Sequence, residues 1–192
     1  MQLTFDTSIR LLSKLVVIAT LLLIFAGALI KSHEVGLSVP DWPTSYGKQM
    51  LSFPLSEMVG GIFYEHGHRV FATIVGFLTL VLAVLIGFSN QPQWVKKTSL
   101  LALILVVSQG LLGGMTVLYF LPPPISILHG ILAQTFFALT IFISYSQSKI
   151  RTKKQQLSSV LYMRRGAVIL ASLVYFQLIL GALMRHTGSG LA

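Results

Sequence analysis

Apolar residues fall into five long runs along the chain, and short polar segments separate them. Each run is close to the roughly 20 residues that an α-helix needs to cross a bilayer. The predicted spans are 11–30, 61–88, 98–120, 125–145 and 166–184. The pattern predicts an all-α, polytopic transmembrane bundle: a four-helix half-bundle, followed by a fifth helix that begins a pseudo-symmetric repeat.

Prolines mark two of the connections. Pro122, Pro123 and Pro124 break the third helix and favour a new helix start just after them. Pro92 marks the turn between the second and third spans.

Composition agrees with a membrane protein. The chain has 192 residues, of which 54% are hydrophobic and 10% charged, and its mean hydropathy is +0.81. The net charge of +9 comes from basic residues between the apolar runs, as in cytoplasmic loops, so it does not predict nucleic-acid binding. With no cysteine, disulfides and thiolate ligands are excluded.

The basic residues also predict an orientation. They concentrate before the first span, between the second and third spans, and between the fourth and fifth. The positive-inside rule then predicts a multi-pass protein of the cell membrane with its N-terminus cytoplasmic and the C-terminus of this chain outside. The predicted regions are a four-helix half at 1–148, a basic cytoplasmic loop at 149–165, and the fifth helix at 166–192.

A short repeat links the first and fifth spans. Gly27-Ala28-Leu29-Ile30-Lys31 resembles Gly181-Ala182-Leu183-Met184-Arg185, and a Gly-Leu pair follows each at the same distance. We therefore expect the fifth helix to open a second copy of the first half, in a longer protein with two four-helix halves. Coincidence among common membrane residues is the alternative.

Two histidines are the main candidates for chemistry. His68 lies near the start of the second span and His129 near the start of the fourth, at similar predicted depth. One neutral imidazole from each of two facing helices is the ligand set of a bis-histidine haem. For either histidine alone, a polar cap or packing role is the alternative. The remaining histidines also fall at the outer ends of spans, with no assigned role: His33, His66 and His186.

Glu65 and Arg69 flank His68. Glu65 shares a helix face with His68 and is the candidate catalytic carboxylate, for proton transfer or for stabilising positive charge. The alternative role for Glu65 is an ion pair with Arg69, four residues later in the same helix. Arg69 could instead clamp a haem propionate. His66 points away from His68 and is interpreted as interfacial.

Two further segments favour structural roles. The turn-rich loop 36–47 is interpreted as an interfacial loop that could still cover a cofactor. Gln109, Gly110, Gly113 and Gly114 in the third span predict close helix packing, which is compatible with a flat ligand.

Together these motifs resemble the haem A synthase family. The resemblance rests on Gly36-Leu37-Ser38-Val39-Pro40-Asp41-Trp42-Pro43, Glu65-x-x-His68-Arg69, Leu128-His129-Gly130 with Gln134, and Arg185-x-Thr187-Gly188-x-Gly190-Leu191-Ala192, in this order along nearly the whole chain.

The resemblance implies a membrane oxidoreductase that oxidises a ring methyl of haem O to a formyl group, giving haem A for terminal oxidase assembly. It implies His68 and His129 as axial ligands of the substrate haem and Glu65 as the catalytic carboxylate, with a haem b cofactor in a second half beyond this chain. A haem O synthase, a redox partner and a second copy of the chain are the partners considered. Many bacterial members carry a cysteine pair in the first outer loop, and this chain has none.

Two other functions remain open at this stage. A membrane b-type cytochrome or haem carrier would use the histidine pair without catalysis. A transporter or assembly factor would use the outer acidic and histidine groups as an ion site, although no charge lies deeper in the first, third and fourth spans to form a pathway.

Overall fold

Five α-helices make up most of the computed structural model, which describes residues 2–148 and 157–187. Their bounds are α1 Gln2–Ser32, α2 Gly61–Phe88, α3 Gln93–Leu118, α4 Pro123–Ser146 and α5 Leu157–Thr187. All five are long and apolar enough to cross a membrane. The predicted all-α transmembrane fold class is confirmed.

Helices α1 to α4 form a closed bundle. Helix α1 packs against α2 and α4, and α3 packs against the same two helices. Short connections join α2 to α3 and α3 to α4, so these neighbours run antiparallel, as in up-and-down bundles. The helix starts agree with the predicted proline breaks, since Pro92 and Pro122 are the N-cap residues of α3 and α4.

The long connection between α1 and α2 is the one elaborate loop of this unit. Residues 33–60 include two short 3₁₀ helices, Met50–Ser52 and Leu55–Glu57. The loop lies at the end of the bundle where α1 and α3 finish and α2 and α4 begin, which we call the loop end.

The main cluster of buried apolar side chains lies in the half of the bundle remote from the loop end. It uses the early part of α1 and α3 and the later part of α2 and α4. Its members are Ile9, Val16, Ala19, Val75, Leu82, Ile86, Val95, Ala102, Phe136 and Ile143. Further apolar side chains are buried at the loop end, namely Val39, Phe53 and Val117. His68 and His129 therefore lie outside the main apolar cluster.

Large apolar side chains cover the outside of the bundle. Leu11 is 62% exposed and Phe77 63% exposed, and many others are similar. In a soluble protein such a surface would aggregate, whereas in a bilayer these side chains face lipid. The helices satisfy their backbone hydrogen bonds internally, as a membrane requires.

The chain divides into two compact units, 1–147 and 148–192. In the second unit, α5 starts at Leu157 and not at the predicted residue 166, so part of the predicted basic loop is helical. Residues 149–156 of that loop and 188–192 of the last motif lie outside the described residues. The apolar side chains of α5 between Met163 and Met184 are largely exposed.

Candidate functional site

His68 and His129 both lie about two turns from the loop end. His68 follows the start of α2 at Gly61, and His129 follows the start of α4 at Pro123, so each is ~10 Å along its helix. Their imidazoles are near enough to interact electrostatically. The structure therefore brings together the two histidines that the sequence singled out.

A glycine on the neighbouring helix faces each imidazole. A Cβ added to Gly27 of α1 would lie 3.1 Å from Cε1 of His68, and one added to Gly113 of α3 would lie 3.4 Å from Cε1 of His129. Both distances are tighter than ordinary van der Waals contact. The absence of a side chain thus lets each helix approach an imidazole ring closely, in the same way on both sides of the bundle.

The Nδ1 atoms of His68 and His129 are buried, and neither has a hydrogen-bond partner. Buried polar atoms in folded proteins are nearly always paired, because an unpaired one loses its bonds to water. Two buried imidazoles on different helices, neither fixed by a hydrogen bond at Nδ1, fit a ligand that binds imidazole. A haem iron with two axial histidines is such a ligand.

Gln109 links α3 to the helix that carries His129. Its Nε2 donates a hydrogen bond of 2.9 Å to the main-chain carbonyl oxygen of His129. Gln109 therefore helps to fix the position of α4 at His129, beyond the packing role that the sequence predicted.

Both carboxylate oxygens of Glu65 are hydrogen-bonded, one to the loop and one to Arg69. Its Oε1 accepts a hydrogen bond from Nη2 of Arg69 at 2.7 Å, and its Oε2 accepts one from the amide of Val39 at 2.9 Å. The Glu65 side chain is 5% exposed and that of Arg69 10% exposed. The ion pair weighed as the alternative role of Glu65 is thus present, and it is buried.

Arg69 fastens the loop through main-chain carbonyl groups. Its Nη1 donates to the oxygens of Asp41 at 2.6 Å and Thr44 at 3.2 Å, and its Nη2 donates to the oxygen of Val39 at 2.7 Å. Guanidinium has a fixed fork of donors that suits several acceptors at once. The predicted propionate contact of Arg69 stays a prediction, and it would share these nitrogens with the loop.

His66 is buried beneath the loop. It is 2% exposed, its Nδ1 lies 2.9 Å from Oγ of Ser45, and its ring packs on Phe53 with centroids 4.6 Å apart. Its helix face, which turns away from His68, is thus covered by the folded loop, and its interpretation as interfacial stays a prediction. Helix periodicity alone could not reveal a loop that returns over this face.

Asp41 organises the loop internally. Its carboxylate accepts hydrogen bonds from the hydroxyl of Thr44 and from the amides of Tyr46 and Gly47. Burial acts to raise the pKa of Asp41, but the bonds from Gly47, Thr44 and Tyr46 outweigh it and lower the pKa below its usual value. The side chain of Asp41 thus holds the turn while its carbonyl is held by Arg69.

Trp42 brings the loop against α3 beside the histidine site. A Cβ on Gly114 would overlap the indole of Trp42, whereas the preceding residue, Gly113, faces His129. Gly114 of α3 therefore lies against the loop, and the adjacent Gly113 lies against the site histidine His129. The loop, interpreted from sequence as structural, thus also borders the site.

His33 does not join this pair. His33 is exposed, its Nδ1 lies 2.8 Å from the carbonyl of Leu29, and its ring stacks on Tyr64 with centroids 4.9 Å apart. The side chain of His186 lies outside the described residues.

Helices long and apolar enough to cross a membrane, four of them in one bundle with a buried histidine on each of two, define the class as the polytopic membrane proteins. Within this class, the chain belongs to the family described as cytochrome oxidase assembly protein (COX15-CtaA), whose model matches residues 10–192. The resemblance predicted from the motifs is confirmed.

Curated relatives agree with the family match. The chain is 28% identical to the haem A synthase of Shouchella clausii over 91% of its length, and 26% identical to that of Bacillus pumilus over 96%. The matched regions are 58% and 61% of those proteins, so the chain spans about three fifths of the relatives it matches. No solved structure matches the chain.

Replacing Arg69 with Gln should release the loop from the bundle. The variant loses three carbonyl contacts and leaves Glu65 as a buried charge without its cation, a change that typically costs about 3–5 kcal/mol. Hydrogen exchange of residues 38–47 should rise in this variant. Lys48→Gln, which removes an exposed ion pair with Glu57, is the control and should leave that exchange unchanged. Equal exchange in R69Q and wild type would contradict the anchoring role.

The loop should also loosen in acid through Asp41. Because the pKa of Asp41 is lowered in the folded loop, its stabilising effect is complete above the unfolded value of about 3.9 and is lost as the pH falls through the folded value. Exchange of the Tyr46 and Gly47 amides, corrected for intrinsic pH dependence, should rise between pH 6 and pH 3. In Asp41→Asn it should already be high at pH 6. A pH-independent wild-type rate would be inconsistent with this account.

Proposed function

We propose that this chain supplies the substrate-haem half of a haem A synthase in the cell membrane. His68 and His129 bind the haem iron, and in the whole protein a ring methyl of haem O is oxidised to a formyl group. The observation that carries the proposal is the pair of buried imidazoles whose Nδ1 atoms have no partner. The curated relatives, which are named haem A synthases, support the substrate class.

The chain's own residues supply position and environment. Each histidine is held on a helix with a glycine of the neighbouring helix against its ring, which fixes the position of the imidazole. The loop, fastened by Arg69 and bordering the site through Trp42, separates the pair from the aqueous side. When bound, the haem supplies the iron and the methyl group on which the oxidation takes place.

Glu65 is the proposed catalytic carboxylate, on the same helix face as His68. Each of its oxygens accepts one hydrogen bond, from Arg69 or from Val39, and a carboxylate oxygen can accept more than one. Of the two predicted roles, stabilising positive charge on the reacting group needs no change in these bonds. Accepting a proton would weaken the ion pair with Arg69.

A haem carrier without catalysis is the second candidate function. One observation favours it: Glu65 and Arg69 are engaged with the loop, which leaves the two histidines as the uncommitted chemistry. A haem A synthase converts haem O to haem A, whereas a carrier binds haem O and leaves it unchanged. An assay for haem A formed from haem O therefore separates the two functions.

The orientation proposed with this function places the loop end outside the cell, as the basic residues predict. A haem b site in the rest of the protein, a haem O synthase, a redox partner and self-association belong to the same proposal, because the chain spans only part of its relatives.

His68→Ala and His129→Ala should each weaken haem binding by at least about tenfold. Even the loss of a residue that only hydrogen-bonds to a metal ligand commonly lowers metal affinity by that factor. Titration of the detergent-purified chain with protohaem, followed by its Soret band, measures the affinity. Each variant should also lose the low-spin spectrum of a six-coordinate haem. His33→Ala changes an exposed histidine and should bind as wild type does. Unaltered binding in both site variants would rule out the proposed ligands.

Glu65→Gln should stop conversion of haem O to haem A while haem remains bound. Gln keeps the size of the side chain but removes the charge. The measurement is pigment extraction from membranes that contain the whole protein with this substitution, alongside the haem affinity of the purified protein. Glu57→Gln, at an exposed ion pair, is the control. Full haem A production by E65Q would remove Glu65 from the chemistry and leave it as a loop anchor.

A further inference from the structure

Ser126 is a buried polar residue next to the histidine site to which no role has been given. It lies in the first turn of α4, three residues before His129, so the two share a helix face. Ser126 is 9% exposed, and its Oγ is buried without a hydrogen-bond partner.

The missing partner sets Ser126 apart from comparable residues. Elsewhere in the described helices, serine and threonine hydroxyls commonly donate to the carbonyl three or four residues earlier, as Thr20, Ser108 and Thr140 do. The same bond is the simplest way to satisfy a buried hydroxyl in a membrane helix. The Oγ of Ser126 does not make it, so this hydroxyl is available to another group.

The unpaired atoms occur together. Among the residues that the structure describes, the buried side-chain nitrogens and oxygens without a partner are Nδ1 of His68, Nδ1 of His129 and Oγ of Ser126. All three lie within about two turns of the loop end. A single ligand between α2 and α4 would account for all of them.

Ser126 and Glu65 occupy matching positions, each three residues before a site histidine. Glu65 is held by Arg69 and Val39, so its helix uses this position to fix the loop. On α4 the matching position carries a neutral hydroxyl with no such bond. Of the two matching positions, the one whose polar group has no hydrogen bond is therefore that of Ser126.

We infer that the Ser126 hydroxyl is a ligand-binding group that donates a hydrogen bond to an oxygen atom of the porphyrin held between His68 and His129. This inference rests on the proposed function. Two kinds of oxygen offer the same chemistry: the propionate carboxylates, present in protohaem and haem O alike, and the hydroxyl of the alkyl chain, which haem O carries where protohaem has a vinyl group.

Ser126→Ala tests the contact by removing Oγ at almost constant shape. Its affinity for the ligand should fall roughly three- to tenfold, as expected for one hydrogen bond. The detergent-purified full chain is titrated separately with protohaem and with haem O. A loss for both identifies a propionate as the partner, and a loss for haem O alone identifies the hydroxyl. Ser126→Thr keeps the hydroxyl and should bind as wild type does, and Ser108→Ala, at a hydroxyl bonded within its own helix, is the matched control.

Thermal unfolding distinguishes a binding role from a structural one. Without ligand, S126A should unfold at the wild-type temperature or above, because the substitution removes an unpaired buried hydroxyl. With saturating haem its stabilisation should be smaller than that of wild type. A lower unfolding temperature without ligand would show a structural role and overturn the inference.

The outcomes separate the inference from the proposed function. Wild-type affinity of S126A for both haems, with an intact six-coordinate spectrum, overturns the Ser126 contact and leaves the histidine site standing. Absence of haem binding by the wild-type chain overturns the proposed function and the Ser126 contact with it.

Discussion

The buried ion pair of Glu65 and Arg69 fixes the architecture of the loop end. Each partner holds part of the loop main chain: Glu65 receives the amide of Val39, and Arg69 reaches three carbonyl groups. A buried charge is tolerated only when it is paired and hydrogen-bonded, so the loop and the start of α2 stabilise each other. Because Trp42 belongs to the same loop, this pair also sets the position of the indole against α3.

This constraint separates two kinds of chemistry that are adjacent in sequence. Glu65, His66 and Arg69 hold the loop by hydrogen bonds, whereas the ring of His68 packs against Gly27 of α1 and its Nδ1 has no hydrogen-bond partner. A helix turns about 100° per residue, so neighbours in one short segment can have different surroundings. The hydrogen bonds of Glu65, His66 and Arg69 thus serve loop anchoring, while the imidazole of His68 does not take part in it.

The fold followed closely from the sequence, and the site only in part. The bounds of α2, the proline breaks and the two histidines at equal depth depend on local rules, namely apolar run length, backbone chemistry and helical rise. The burial of His66 and the loop contacts of Arg69 could not be predicted, because their partners lie in the long loop before α2 and meet these residues only in the folded chain. The start of α5 was also missed, since its first turns carry polar and basic residues that resemble a loop.

The sequence by itself determined the number of spans, the all-helical class and the family, because these depend on hydrophobic runs and ordered motifs within single elements. The tertiary structure decided which polar groups are already paired and which are not. That distinction needs the path of the loop over α2 and the approach of Gly27 and Gly113 to the histidine rings. Hydrogen bonding is a property of neighbours in space, so only the folded bundle shows that Nδ1 of His68, Nδ1 of His129 and Oγ of Ser126 are buried without a partner.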